Sequence, residues 1–264
     1  LLTRVISALI GGPLLLYLLY RGGSYLLFLT ILLSLLALRE LYEMSGNMGL
    51  RAWKIFGYAA ALFIIFGAYL EQGRYFGFLS IFWLLFCLAY FVFNYPKEGI
   101  NDLSFNYLAV GYVTLLFAHL VLLRSLEQGL YLTFLTFALT WATDTGAYFT
   151  GRTIGKHKLA SQVSPNKTVE GAIGGLIFAV LTAFGIGYLL PNQSLNYGLL
   201  VILGIAVGFS AQLGDLAESA IKRLAGVKDS GRLIPGHGGV LDRFDSILFT
   251  VPTVYYLFVG LIIS

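Results

Sequence analysis

Apolar runs of roughly bilayer-spanning length follow one another along almost the whole chain, with only brief polar breaks. In lipid every backbone polar group must be satisfied within the segment, so a helix of roughly 20 mostly apolar residues is the natural crossing element. Nine stretches meet or approach that length: residues 5–20, 24–44, 54–70, 75–95, 105–123, 130–150, 171–190, 197–213 and 246–263. The first is short, and the sixth and eighth run on into polar sequence. The expected fold is therefore an all-α integral membrane protein with about nine transmembrane helices. Charged residues make up only 11% of the chain, against about 25% in soluble domains. The net charge of +4 has no soluble basic domain to serve, so membrane lipid is an expected partner and nucleic acid is not. No cleavable signal peptide is expected, because the first apolar run is followed at once by others. Cys87 sits in an apolar run and reads as a small core residue.

Lys and Arg orient such a chain, being enriched on the cytoplasmic side. With nine crossings, all of the 17 Lys and Arg except Arg21, Arg74 and Arg124 fall on the side of the N-terminus. The N-terminus and both long connections, 151–170 and 214–245, are thus expected in the cytoplasm and the C-terminus outside. All acids except Glu71 and Glu127 share that side. Positive-inside targeting does not require acids, so carboxylates and bases gathered in two loops suggest a site.

The segment 214–246 is the richest. Asp242 and Asp245 are three apart, which places them on one face of a helix leading into the last span. Asp215 and Glu218 have the same spacing at the end of the eighth span. Hard carboxylate oxygens at neighbouring helix ends suit Mg²⁺, which typically takes one or two carboxylates plus substrate phosphates. Pro235-Gly236-His237-Gly238-Gly239 cannot be regular helix; its glycines permit positive φ and close approach to a ligand, and its N–H groups suit an anion nest. Upstream, Ser164-Pro165-Asn166-Lys167-Thr168 puts hydroxyls, an amide and a lysine at the start of the seventh span, where a helix N-terminus favours anions. Residues 151–158 miss a P-loop: three residues rather than four separate the glycines, and His157 stands where Ser or Thr is needed. Asp144 lies within the sixth span, and an intramembrane carboxylate is by default a functional hypothesis. The ordinary alternatives are a solvated loop with pairs such as Glu218–Lys222, a capped helix, and a polar helix contact at Asp144. His119 reads as a satisfied core histidine, and Gly171xxxGly175 and Gly204xxxGly208 as helix-packing motifs. The chain then divides into an N-terminal block of about five spans, 1–128, and a C-terminal block of about four, 129–264, that carries the chemistry.

The run from Ser219 to Asp245 resembles the signature of the phosphatidate cytidylyltransferases (CDP-diacylglycerol synthases). The matching residues are Ser219, Lys222-Arg223, Lys228-Asp229, Pro235, His237-Gly238-Gly239, Asp242-Arg243 and Asp245. Residues 164–171 resemble a second motif of that family, usually with Lys in place of Asn166. The specific resemblance covers roughly residues 141–246. It implies a multi-pass protein of a bacterial-type inner (plasma) membrane with a cytoplasmic active site. The implied reaction is CTP + phosphatidate → CDP-diacylglycerol + pyrophosphate, with Mg²⁺ and room for a second cation. Asp215, Asp242 and Asp245, with Asp144, would hold metal. Lys167, Lys222, Arg223, Lys228 and Arg243 would contact phosphates, and His237-Gly238-Gly239 would approach the triphosphate through backbone. Ser164, Asn166 and Thr168 are further substrate-binding candidates, and the small-residue motifs make a homodimer plausible. Two rivals stand beside this reading. A CTP-dependent polyprenol kinase would pass on the γ-phosphoryl group instead. An ion-coupled transporter using Asp144 predicts internal repeats with broken helices, and none is evident. The CDP-alcohol phosphotransferase motif is absent.

Overall fold

The structure, a computed structural model, describes residues 2–70, 74–190, 195–234, 236 and 238–263, the side chains of 2–6, 8 and 261–263 excepted. Counting one interrupted helix as continuous, nine helices lie among the described residues, each close to an apolar stretch of the sequence. They are α1 (Leu2–Arg21), α2 (Gly23–Asn47), α3 (Lys54–Leu70), α4 (Phe76–Asn94), α5 (Ile100–Ser125), α6 (Gly129–Ile154), α7 (Val169–Leu189), α8 (Tyr197–Leu224) and α9 (Leu241–Ile263). Five of them, α2, α4, α5, α7 and α8, are long and apolar enough to cross a membrane.

The chain forms two compact units. The first takes it as far as Leu130 and then Leu224–Arg243; the second takes Tyr131–Arg223 and the chain from Phe244 on. In the first unit α2 packs on α1, α3 and α5, and α3 packs on α4 and α5. Gly22 (φ 61°) and Gly23 (φ 51°) turn α1 into α2 without a loop, a conformation that favours glycine. The Arg124 guanidinium fits against Gly22 and donates to the carbonyls of Leu19 and Tyr20, two of the acceptors a helix end leaves open. Residues Gly111–Leu115 of α5 are π-helical, and there Thr114 meets Ser34 of α2, hydroxyl to hydroxyl at 3.0 Å. His119 is buried, with Nδ1 2.7 Å from the Leu115 carbonyl, and Cys87 is buried; both behave as core residues.

In the second unit glycines let the helices approach closely. A Cβ on Gly175 would lie 2.9 Å from the Thr143 carbonyl, and one on Gly171 2.8 Å from that of Ala147, so α7 rides directly on α6. Gly204 and Gly208 of α8 meet Val180 and Leu176 of α7 in the same way. Both small-residue motifs therefore seat helices within the unit. Hydroxyl pairs add polar links: Thr140 with Thr250 at 3.0 Å (α6–α9) and Ser210 with Thr253 at 2.9 Å (α8–α9).

Two expectations need correction. The connection 151–170 is not irregular: α6 runs to Ile154, and an antiparallel hairpin, β1 (Lys158–Ala160) and β2 (Ser164–Thr168), follows it. Two short strands thus stand beside the helices among the described residues. The connection 214–245 is shorter than expected, because α8 continues to Leu224 and α9 begins at Leu241. Helicity outlasts the apolar run there, and the Glu218–Lys222 pair at i,i+4 supports the polar turns.

Candidate active site

A cleft of about 440 Å³ opens in the second unit between α6, the hairpin, α7 and α8. Its lining includes Asp144, Tyr148, Asn166, Lys167, Thr168 and Asp215. Helix α6 carries Asp144 there, and β2 carries Asn166, Lys167 and Thr168. Asp215 is there because α8 extends past its apolar part. Lys167 Nζ lies 2.6 Å from Asp215 Oδ2, with the two side chains 25% and 34% exposed. The pair is thus sheltered but reachable.

Asp144, Asp215 and Asp245 form one electrostatic group: Asp215 opposes both of the others, and Asp144 also opposes Asp245. Lys167 offsets the charge at Asp144, and Lys222 offsets it at Asp245. Like charges that act on one another disfavour ionisation unless positive charge offsets them. Lys222 also bonds the buried Glu218, Nζ to Oε2 at 2.5 Å. Ser219 Oγ is 3.4 Å from Asp215 Oδ1.

The hairpin is fixed from several sides. Thr168 caps α7, its Oγ1 accepting from Gly171 N–H at 3.1 Å. Glu170 accepts from the N–H groups of Lys156 and His157 and bonds His157 Nδ1 at 2.5 Å. Arg223 Nε donates to the Val163 carbonyl at 3.2 Å, tying α8 to the hairpin turn. Gln212, not foreseen from the sequence, lines the cleft and donates to the carbonyls of Ala172 and Gly208. Ser164 begins β2, while Asn166 lines the cleft.

The glycine-rich segment belongs to the first unit and is organised by carboxylates. Asp242 Oδ2 accepts from Ser230 N–H (2.9 Å), Ser230 Oγ (3.0 Å) and Gly239 N–H (2.8 Å). Glu40 of α2, only 1% exposed, accepts from Ser230 Oγ (2.9 Å), Val240 N–H (2.7 Å) and Leu241 N–H (3.0 Å). Gly238 has φ 87°, and its Cβ position lies 2.6 Å from Asp242 Oδ2. The N–H of Gly239, expected to approach a triphosphate, is engaged by the protein itself, and the Gly238 carbonyl accepts from Ile234 N–H. The expectation for His237 falls on a residue outside those described. Lys228 lines a separate cleft of about 620 Å³ with Arg39, Glu40, Glu43 and Arg232. Arg243 stands in the first turn of α9, next to Asp242. Glu40 was missed, although one signal was available: like Asp144, it is a carboxylate inside an apolar run.

No group of three or more His, Cys, Asp or Glu among the described residues is set to hold a metal ion by itself. What the second unit offers is two carboxylates, Asp144 and Asp215, lining one cleft with Lys167. Comparison with known proteins points the same way. A Staphylococcus haemolyticus protein named phosphatidate cytidylyltransferase is 38% identical over 262 residues, covering 98% of this chain and 97% of that protein. Proteins of the same name are 36% identical over 267 residues in Staphylococcus aureus strain COL (98% and 97%) and 42% over 180 residues in Bacillus subtilis (68% and 66%). Residues 2–261 match the cytidylyltransferase family, and with apolar helices, a carboxylate–lysine cleft and two staphylococcal relatives alike over nearly their whole length, the chain belongs to that family.

Proposed function

We propose that the protein transfers the CMP moiety of CTP to phosphatidate, giving CDP-diacylglycerol and pyrophosphate, at the cytoplasmic face of the membrane. The observation that carries this reading is the cleft joining Asp144, Asp215 and Lys167, in a chain similar over nearly its full length to proteins named for that reaction. A phosphatidate phosphate oxygen forms the new bond to the α-phosphorus of CTP, and the bond from that phosphorus to the pyrophosphate oxygen breaks. The nucleophile is already anionic, so no general base is needed. Catalysis is then positioning and charge stabilisation. Lys167 and Lys222 would offset phosphate charge, and Thr168 and Glu170 would hold the hairpin that presents Lys167.

Mg²⁺ belongs to this reading. Asp144 and Asp215 would hold it, with Asp245 beside them, and substrate phosphates would complete the shell, as is usual for this ion. When bound, it would neutralise charge on the triphosphate and on the leaving pyrophosphate. Asp242, engaged by Ser230 and Gly239, is assigned to holding the glycine-rich segment instead. Nine crossings with the N-terminus inside remain the preferred topology, on the distribution of Lys and Arg. A homodimer is not part of the proposal, since the glycine motifs that suggested it seat α6, α7 and α8 against one another. The test is purified protein in detergent with phosphatidate, Mg²⁺ and radiolabelled CTP, scored for labelled lipid: label in the lipid supports the reading, and its absence with folded protein refutes it.

A further inference from the structure

Glu40 enters the glycine-rich segment from a helix about 190 residues away in sequence, as its bond to Ser230 shows. A buried carboxylate is costly unless hydrogen bonds compensate it. Glu40 accepts from two backbone N–H groups and shares the one Ser230 hydroxyl proton with Asp242, contacts strengthened by its charge. Two of the donors, Val240 N–H and Leu241 N–H, stand at the start of α9, where the helix dipole favours an anion. The third, Ser230 Oγ, also touches Asp242, so one hydroxyl links the two carboxylates. The space around them is tight: a Cβ on Gly231 would lie 2.7 Å from Glu40 Oε1, and one on Gly239 would strike both Ser230 and Glu40, so either would displace the carboxylate. The segment is thus wrapped around Glu40 as much as around Asp242.

The same segment supplies Lys228, Asp229 and Arg232 to the 620 Å³ cleft that Arg39 and Glu43 close from α2. Glu43 pairs with Arg39 at 2.8 Å, and Glu40 is bound to the backbone. That leaves Lys228 and Arg232, with Asp229 also in the lining, on a segment held by Glu40. Building on the cytidylyltransferase reading, we propose that Glu40 is a positioning residue. It fixes the segment so that Lys228 and Arg232 hold a phosphate-bearing substrate, either the CTP triphosphate or the phosphatidate headgroup.

The test compares the full-length wild type with Glu40→Gln, Lys228→Ala and the double variant. Binding of CTP and of short-chain phosphatidate, each alone, is read by calorimetry, alongside KM, kcat and thermal midpoint. The proposal expects Glu40→Gln to stay folded and to weaken binding and raise KM by about tenfold for one of the two ligands, about 1.4 kcal/mol, with kcat little changed. The ligand that moves identifies the source of the phosphate. The double variant should be no worse than the worse single one, since both act through the same segment. Unchanged dissociation constants for both ligands, or fully additive losses, would overturn it. Should Glu40→Gln unfold, Ser230→Ala removes only the linking hydroxyl and must shift the same ligand. If the wild type makes no CDP-lipid, the functional reading fails, and the binding measurements still decide the role of Glu40.

Discussion

Lys167 Nζ sits 2.6 Å from Asp215 Oδ2, and this contact joins β2 to the polar extension of α8. Neither partner is where an apolar run alone would put it. Lys167 is on a strand within a polar connection, and Asp215 lies beyond the hydrophobic part of its helix. Asp215 is also the carboxylate that opposes both Asp144 and Asp245, which makes it the centre of the charge arrangement in the second unit.

Asp215→Asn keeps volume and removes that charge. Turnover should fall by about 10²-fold or more if the lost charge supports several kcal/mol of transition-state stabilisation. Excess Mg²⁺ or Mn²⁺ should restore part of it. Titrating activity against Mg²⁺ checks this, and near-wild-type turnover with an unshifted curve would count against the role given to Asp215.

Asp242→Asn should behave differently. Its Oδ2 accepts from Ser230 N–H and Gly239 N–H and shares the Ser230 hydroxyl proton with Glu40, and a bond to a charged acceptor contributes about 1.5–3 kcal/mol. The expected outcome is a clearly lowered thermal midpoint and an unshifted Mg²⁺ dependence of the remaining activity. A shifted metal curve with unchanged stability would return Asp242 to the metal-binding role that the sequence alone suggested.

Gly214→Ala tests packing behind the site. The added Cβ would lie 2.5 Å from the Asp245 carbonyl, backbone that cannot rotate away, so α8 and α9 must separate locally. Destabilisation of about 1–3 kcal/mol is expected, with activity lost because Asp215 and Asp245 move with their helices. Wild-type melting and activity would show that the contact is not tight.

Topology is checked by labelling. In a Cys87→Ser background, Ser161→Cys in the hairpin turn and Glu127→Cys between α5 and α6 should react from opposite faces, Ser161→Cys from the cytoplasm. Reaction of both from one face would mean that the number of crossings between them is even.

The helices were legible because an apolar run and a membrane-length helix are nearly the same signal. Lys54–Leu70 begins and ends where hydrophobicity does. What the sequence hid lay where backbone structure and hydrophobicity part. The strands 158–160 and 164–168 are short, the second wholly polar apart from Pro165, with no alternation to reveal them. Helix α8 continues through Asp215 and Arg223 because helical backbone bonds do not depend on apolar side chains. The carboxylates and Lys167 were identifiable from chemistry, but their grouping was only half visible. Asp242 and Asp245 share a helix as spacing implies, yet Asp242 turns to Ser230 and Gly239. Gly239 looked like part of a phosphate nest because spacing alone does not show that its N–H turns to Asp242, and only the fold brings Glu40, far away in sequence, to the N–H groups of Val240 and Leu241 that follow.

The central claim, transfer of CMP rather than of phosphate, is tested most directly by supplying CTP labelled either at the α- or at the γ-phosphorus to purified protein with phosphatidate and Mg²⁺. The account predicts label in the lipid from α-labelled CTP only, with the γ-label recovered in pyrophosphate. Lipid labelled only from γ-labelled CTP, with CDP as the second product, would contradict it and mark the protein as a kinase.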